Sequence, residues 1–115
     1  VVSAGGGLGY GTGSGGTVTQ ATSKATAVTL NKPTGQITMN NAALGPGASV
    51  VFSLNNSLLA ATDLVIVNAW DSDNYRVEVQ RCLAGICNIR VTNISAGSLS
   101  DALGVKFAII KGATA

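Results

Sequence analysis

The sequence predicts an all-β fold: a β-sandwich, in particular a jelly roll of about eight strands, behind a glycine-rich N-terminal arm. Three observations predict it. From Thr17 onward apolar residues recur with a period of two, the spacing of a half-buried strand. Turn-forming clusters interrupt that pattern at short intervals. Charged residues make up only 10% of the chain, against about 25% in an ordinary domain, so Thr, Ser, Asn, Gly and Ala must cover the surface.

The elements follow in order. Residues 1–16 hold eight glycines and little to bury, which reads as an extended arm. Two readings of it stand side by side: an arm that orders on a neighbouring subunit, and a flexible tail. On the first, Gly5, Gly6, Gly7, Leu8 and Tyr10 are candidate interface residues. Residues 17–115 form the sandwich domain. A single domain fits the length, and such a chain buries roughly two thirds of its unfolded surface.

Strands are expected over 17–23, 25–30, 35–40, 48–55, 63–70, 74–82, 86–93 and 105–111. Asn31-Lys32-Pro33, Gly45-Pro46-Gly47, Asn55-Asn56-Ser57, Asp71-Ser72-Asp73, Ala84-Gly85 and Ser95-Ala96-Gly97 supply turns. The clearest alternation runs from Tyr75 to Gln80: Val77 and Val79 face one way, and Arg76, Glu78 and Gln80 the other. Val50, Phe52 and Leu54 share a face, as do Ile89 and Val91, and Val105, Phe107 and Ile109. Residues 63–70 are apolar on both faces, which suggests a central strand or one covered by a partner. Residues 40–44 and 98–103 are candidate helical turns, the second opened by Ser98 and Asp101 spaced as a capping box.

The composition removes most chemistry. With no His, Ser-His-Asp, Cys-His and His-metal sites are excluded. Paired-carboxylate catalysis needs two of Asp63, Asp71, Asp73, Glu78 and Asp101 to converge, yet four of them fall in turns or strand ends, where Asp serves local hydrogen bonding. The string from Gly11 to Gly16 matches G-x-G-x-x-G but lacks the preceding strand and following helix that hold a pyrophosphate. Asp71-x-Asp73-Asn74 could offer oxygens to Ca²⁺, but without the Gly and bidentate Glu of an EF-hand loop an Asx turn is the better reading. Asn55 and Asn93 open formal glycosylation sequons, relevant only in a secreted eukaryotic protein. The chain is therefore read as a non-enzyme without cofactor or metal.

Lys and Arg are scattered, which argues against a nucleic-acid partner, and no apolar run approaches the ~20 residues of a membrane span. The opening VVSAGGG lacks the basic and apolar regions of a signal peptide, and Val1 in place of Met leaves the start of the chain open.

Cys82-Leu-Ala-Gly-Ile-Cys87 is the most specific local signal. A two-residue turn at Ala84-Gly85 sets the two cysteines opposite each other as a non-hydrogen-bonded pair, about 4.5 Å between Cα atoms, within disulfide range. A disulfide and a pair of reduced thiols are both open, because the compartment is not given. Trp70 and Tyr75 flank the turn at 71–74 and read either as aromatics that stack a sugar or anchor an interface, with Asp71, Asp73 and Asn74 in the same loop, or as core at two strand ends.

The strings GTGSGGTVTQATSKATAVTLNKPTGQITMNNAAL, FSLNNSLLAATDLVIVN and VTNISAGSLSDALGVKFAIIKG resemble a small β-domain found among virion structural proteins of tailed bacteriophages. The likeness spans Gly11 to Gly112; between Trp70 and Cys87 the chain departs from it, carrying DSDNYRVEVQRCLAGIC where a Gly/Ala-rich strand and turn are usual. The resemblance implies a particle protein of the capsid decoration (cement) or head- or tail-fibre type, with no catalytic residues. The expected partners are the major capsid protein and further copies of the chain, as dimer or trimer. The expected location is the outer capsid surface of the virion, after synthesis in the bacterial host cytoplasm.

Overall fold

The computed structural model describes residues 9–113. It is all-β, and no helix occurs among the described residues. Eight strands run β1 (Gly15–Thr19), β2 (Val28–Thr29), β3 (Thr34–Thr38), β4 (Ser49–Asn55), β5 (Leu64–Ala69), β6 (Tyr75–Leu83), β7 (Ile86–Asn93) and β8 (Gly104–Ile110). They form two four-stranded sheets, ordered β1-β3-β8-β5 and β2-β4-β7-β6.

Each expected strand is present; 86–93 keeps its bounds, and the others shift at one or both ends. β1 opens at Gly15, so the last two residues of the expected arm lie in a sheet. β2 shrinks to two residues because the Gln20 side chain organises the chain before it: its amide donates to Lys24 O and Thr26 O, both at 2.8 Å, and its oxygen accepts Asn40 N at 3.0 Å.

The strand order sets the fold apart from an antiparallel jelly roll. The chain crosses between sheets at nearly every connection, so β3 returns beside β1 and β4 beside β2 in the same direction. Those two pairs are parallel, whereas a jelly roll is built from antiparallel Greek keys. The last two strands, β7 and β8, then occupy interior positions, antiparallel to both of their neighbours.

Alternation fixes which side chains meet. Phe52 and Leu54 of β4, Cys87, Ile89 and Val91 of β7, and Val105, Phe107 and Ile109 of β8 are buried in one cluster drawn from both sheets. Burying each such side chain contributes about 1.5–3 kcal/mol. On β6 the expected alternation holds to Val79, where a bulge intervenes: Val79 pairs with Ile89, Arg81 with Asn88, and Gln80 is the extra residue. Without it Cys82 would face solvent; with it Cys82 joins Val77 and Val79 against the core.

Neither candidate helical turn forms. Leu44 and Leu99 make an antiparallel bridge instead, exchanging N–H···O bonds of 2.8 and 3.0 Å, and Met39 N donates to Leu103 O at 2.8 Å. These segments extend the β3–β8 pairing beyond Thr38 and Gly104, and burial of Leu44 and Leu103 holds them there. Asp101 caps no helix; its carboxylate is engaged by Tyr75.

β5 is an edge strand rather than a central one. Val65, Val67 and Ala69 pack against the core, while Leu64 and Ile66 are 63% and 55% exposed. Asp63 anchors its start: its carboxylate accepts Ala60 N, Gly112 N and Lys111 Nζ, the last at 2.5 Å. The Lys111 ammonium, with those backbone donors, holds the Asp63 carboxyl below the usual carboxylate range. This contribution to stability is present above the ordinary carboxyl pKa and is lost as the pH falls through the lowered value.

Candidate functional site

The connection from β5 to β6 and the segment leading into β8 meet at one end of the molecule. Trp70 N donates to Gly104 O at 3.2 Å, and Asp71 Oδ1 accepts Gly104 N at 3.0 Å, so the two strand ends are joined on both sides of Gly104. The Trp70 ring lies on Gly104: a Cβ there would sit 2.1 Å from the indole nitrogen. Only glycine leaves room for that stacking. Lys106 Nζ lies 5.0 Å from the ring centroid, a cation–π arrangement. In the turn, Asn74 N donates to Ser72 Oγ at 3.2 Å.

A cleft of about 320 Å³ at this end is lined by Asp71, Ser72, Asn74, Asp101, Ala102 and Leu103; Trp70 precedes it in the chain and is not part of its lining. Asp101 is held from two sides. Its Oδ2 accepts the Tyr75 hydroxyl at 3.0 Å, and its carbonyl accepts Lys24 Nζ at 2.6 Å. Lys24 is buried and donates also to Asn40 O. Burial pulls the Lys24 pKa down, and the nearby Asp101 charge opposes that pull. Asp71 Oδ2 and Asp101 Oδ1 take part in no hydrogen bond among the described residues, so each carboxylate keeps an oxygen able to accept a ligand's hydroxyl or amine.

The two aromatic residues flanking the turn are thus separated. Trp70 is 48% exposed on the outer face; Tyr75 is 6% exposed, part of the core, and unavailable as an interface anchor. Burial, reinforced by the Asp101 hydrogen bond and charge, pushes the Tyr75 phenol up to about 12. Its folded pKa exceeds the ordinary 10, so its contribution is complete below pH 10 and is lost as the pH rises through about 12. A phenolate absorbance titration is expected to show a tyrosine ionising near pH 12 that Tyr75→Phe removes; a titration unchanged by that substitution would refute the assignment.

Other expected positions resolve as follows. Gly5, Gly6, Gly7 and Leu8 lie outside the described residues. Tyr10 is part-exposed, and its hydroxyl donates to Ile109 O, so this portion of the arm docks on its own chain. Asp71 and Asn74 line the cleft and Asp73 does not. Among the described residues no group of three or more His, Cys, Asp or Glu side chains gathers around a metal position. The Asn93 sequon is closed in the folded chain: the side chain is fully buried, with its amide donating to Leu44 O and Gly97 O.

Cys82 and Cys87 stand opposite each other, joined by the Ala84-Gly85 turn with Gly85 at φ +79°. Both are free thiols, Sγ to Sγ 2.7 Å. Burial, and then the hydrogen bond with Cys82, push the Cys87 thiol far up. Cys87 is therefore expected to resist alkylation until the protein unfolds, whereas added oxidised glutathione, acting as the oxidant, should remove both thiols together without dimer formation. Thiol counting with mass spectrometry checks this; rapid alkylation of Cys87 in the native protein would overturn it.

Sequence reasoning missed Lys24, Gly104 and the role of Asp101. Asp101 was legible as a polar residue at a turn, but only the fold brings it to Tyr75 and Lys24, 26 and 77 residues away. No protein family matches the chain, and neither a curated protein nor a solved structure does.

Proposed function

We propose that this chain is a structural protein of a tailed-phage virion: a decoration protein that binds the outer surface of the head and bridges neighbouring major capsid subunits. The two sheets are then the layers of a β-sandwich. The observation that carries the reading is the outward face of the β1-β3-β8-β5 sheet. Along β5 and β8 it presents Leu64, Ile66 and Ile110 at one end and Trp70 at the other, with Lys106 as its one charged strand residue. Exposed apolar patches of this kind mark interaction surfaces. The likeness of three long strings to virion β-domains supplies the particle.

The mechanism is mass action. A protein that binds only the assembled lattice stabilises it in proportion to occupancy, and several linked copies convert weak single contacts into strong attachment. Cryo-electron microscopy of the purified particle tests the reading. Density straddling capsid subunits on the outer face is the expected result; density confined to a tail or projecting fibre would overturn it. Deleting residues 1–8, which spares Tyr10 and β1, tests the arm: unchanged capsid occupancy would remove it from the contact.

A second reading is favoured by one specific observation. Trp70 is exposed next in the chain to Asp71, which lines a cleft with two carboxylate oxygens to spare; a stacking platform and hydroxyl acceptors at one end of the molecule suit a sugar. The chain would then be a fibre module that binds a host receptor or surface glycan. Trp70→Ala should abolish host adsorption on this reading and leave it unchanged on the first.

A further inference from the structure

The four edges of the two sheets are not alike. β2 is two residues long. β6 carries Arg76, Glu78 and Arg81 and a bulge at Gln80. β1 opens with two glycines. Short strands, charges and bulges are the devices that keep an edge from pairing with another chain. β5, Leu-Val-Ile-Val-Asn-Ala, has none of them: no charge, no Pro, no Gly and no bulge.

Its hydrogen-bonding groups are also free. Continuing the β5–β8 register by one residue sets Trp70 opposite Gly104, where Trp70 N donates to Gly104 O. Residues of β5 in phase with Trp70, namely Leu64, Ile66 and Asn68, therefore exchange bonds with β8. The far side of β8 agrees, since Ile109 N bonds to Pro33 O and Leu103 O accepts Met39 N. The N–H and C=O groups of Val65, Val67 and Ala69 consequently point away from β8, and among the described residues they have no backbone partner beyond the sheet.

We infer that β5 pairs with β5 of a second copy of this chain, joining the two β1-β3-β8-β5 sheets into one eight-stranded sheet across a twofold axis. An exposed edge of amides that bond only to water is a template for another extended backbone. A twofold axis sets the residues at the middle of the strand near their own copies, so a charge there would meet a like charge; β5 has none, and the adjacent Asp63 and Lys111 neutralise each other within the chain. Side chains opposite each other in an antiparallel pair share a face, so the register must match residues of like parity. The register with the longest overlap that keeps Leu64 paired sets Ile66 against its own copy, Val65 against Val67, and Leu64 against Asn68. Val65 and Val67 then exchange the interfacial hydrogen bonds. The two Ile66 side chains form the non-hydrogen-bonded pair on the outward face, continuous with Leu64 and Ile110.

This shares with the proposed function the use of several copies and the exposed residues Leu64, Ile66 and Ile110, and its test needs no particle. Light scattering after size exclusion across a concentration series is expected to show a concentration-dependent dimer. Ile66→Lys, at an exposed position, should weaken it at least tenfold, because two ammonium groups then face each other, while leaving the circular dichroism unchanged and the Tm unchanged at dilutions where both proteins are monomeric. Ile66→Cys should give an intermolecular disulfide under mild oxidation, since a non-hydrogen-bonded pair stands within disulfide range, whereas Leu83→Cys on the β6–β7 hairpin should not. A monomer at concentrations up to about 1 mM, the weak end of specific affinity, would overturn the inference and leave the edge for a strand of another protein. A trimer would overturn it, because one edge per copy closes only a pair. So would a dimer indifferent to Ile66→Lys. Capsid location is decided separately: a dimer found only on fibres removes the decoration reading and leaves this one.

Discussion

Phe107→Ala is expected to cost about 3–5 kcal/mol, a large part of the 5–15 kcal/mol that holds an ordinary domain together. Phe107 lies on β8, between β3 and β5, and is 2% exposed. Its ring and the Leu30 side chain fill the space that Gly35 leaves on the paired strand: a Cβ at Gly35 would lie 3.2 Å from the Phe107 ring, 2.7 Å from Leu30 Cδ2 and 2.7 Å from Gly16 O on β1. The glycine lets β1 approach β3 closely, and the phenyl ring covers the hollow that results. Removing the ring opens a cavity at the junction of three strands, which the parallel β1–β3 pair cannot collapse to fill without meeting backbone. The loss should appear as a lower denaturation midpoint at unchanged m-value. Phe107→Leu, which keeps most of the volume, should recover more than half of it. A cost below about 1 kcal/mol for the alanine variant would show that the ring is not the keystone of this sheet.

Asn93→Asp is expected to be of similar size for an electrostatic reason. The two side chains have the same shape, so packing is unchanged. Asn93 is fully buried; its amide donates to Leu44 O and Gly97 O, both at 2.8 Å, while its Oδ1 accepts Ser95 N and Ser95 Oγ. Gly47 N donates to its carbonyl, and its own N–H donates to Ala48 O. One side chain thus ties together the corner where β7 ends, β4 begins and the Leu44–Leu99 bridge forms. A carboxylate would lose both amide hydrogen bonds and aim negative oxygen at two carbonyls; Leu44 O keeps Leu99 N and Gly97 O keeps Ser95 Oγ, so the cost lies in the repulsion between these oxygens and in the buried charge. Burial and the facing carbonyls would raise the new carboxyl's folded pKa above its unfolded value. The folded state then binds the extra proton, so the variant is least damaged at acid pH and loses stability as the pH rises through the raised value. Denaturation midpoints of variant and wild type across the acid range check this. A difference that stays flat with pH would overturn the account.

The strands were legible because each carries its own alternation. β4, β7 and β8 bury every second residue, and the Ala84-Gly85 turn fixes the register that sets Cys82 against Cys87. Alternation assigns a residue to one of two faces, but it names no neighbour. That is why the β1–β3 and β2–β4 pairs, parallel through crossings between sheets, could not be read. The apolar character of residues 63–70 on both faces was visible, yet it fits a central strand and an uncovered edge equally well; only the strand order decides for the edge.

The candidate site was half legible for the same reason. The turn at Asp71–Asn74 and its aromatic flanks stood out, but which aromatic faces inward depends on register, and the register places Tyr75 opposite the buried Asn93 and leaves Trp70 on the outside. The sequence by itself determined the all-β class, the eight strands, the facing cysteines and a surface poor in charge, because these follow from local spacing and composition. The tertiary structure alone decided the bulge at Gln80, the burial of Lys24 and Tyr75, the meeting of Asp71 with Asp101, and the bare edge at β5. Each of those depends on contacts between segments far apart in the chain, and local spacing does not encode which distant segments will meet.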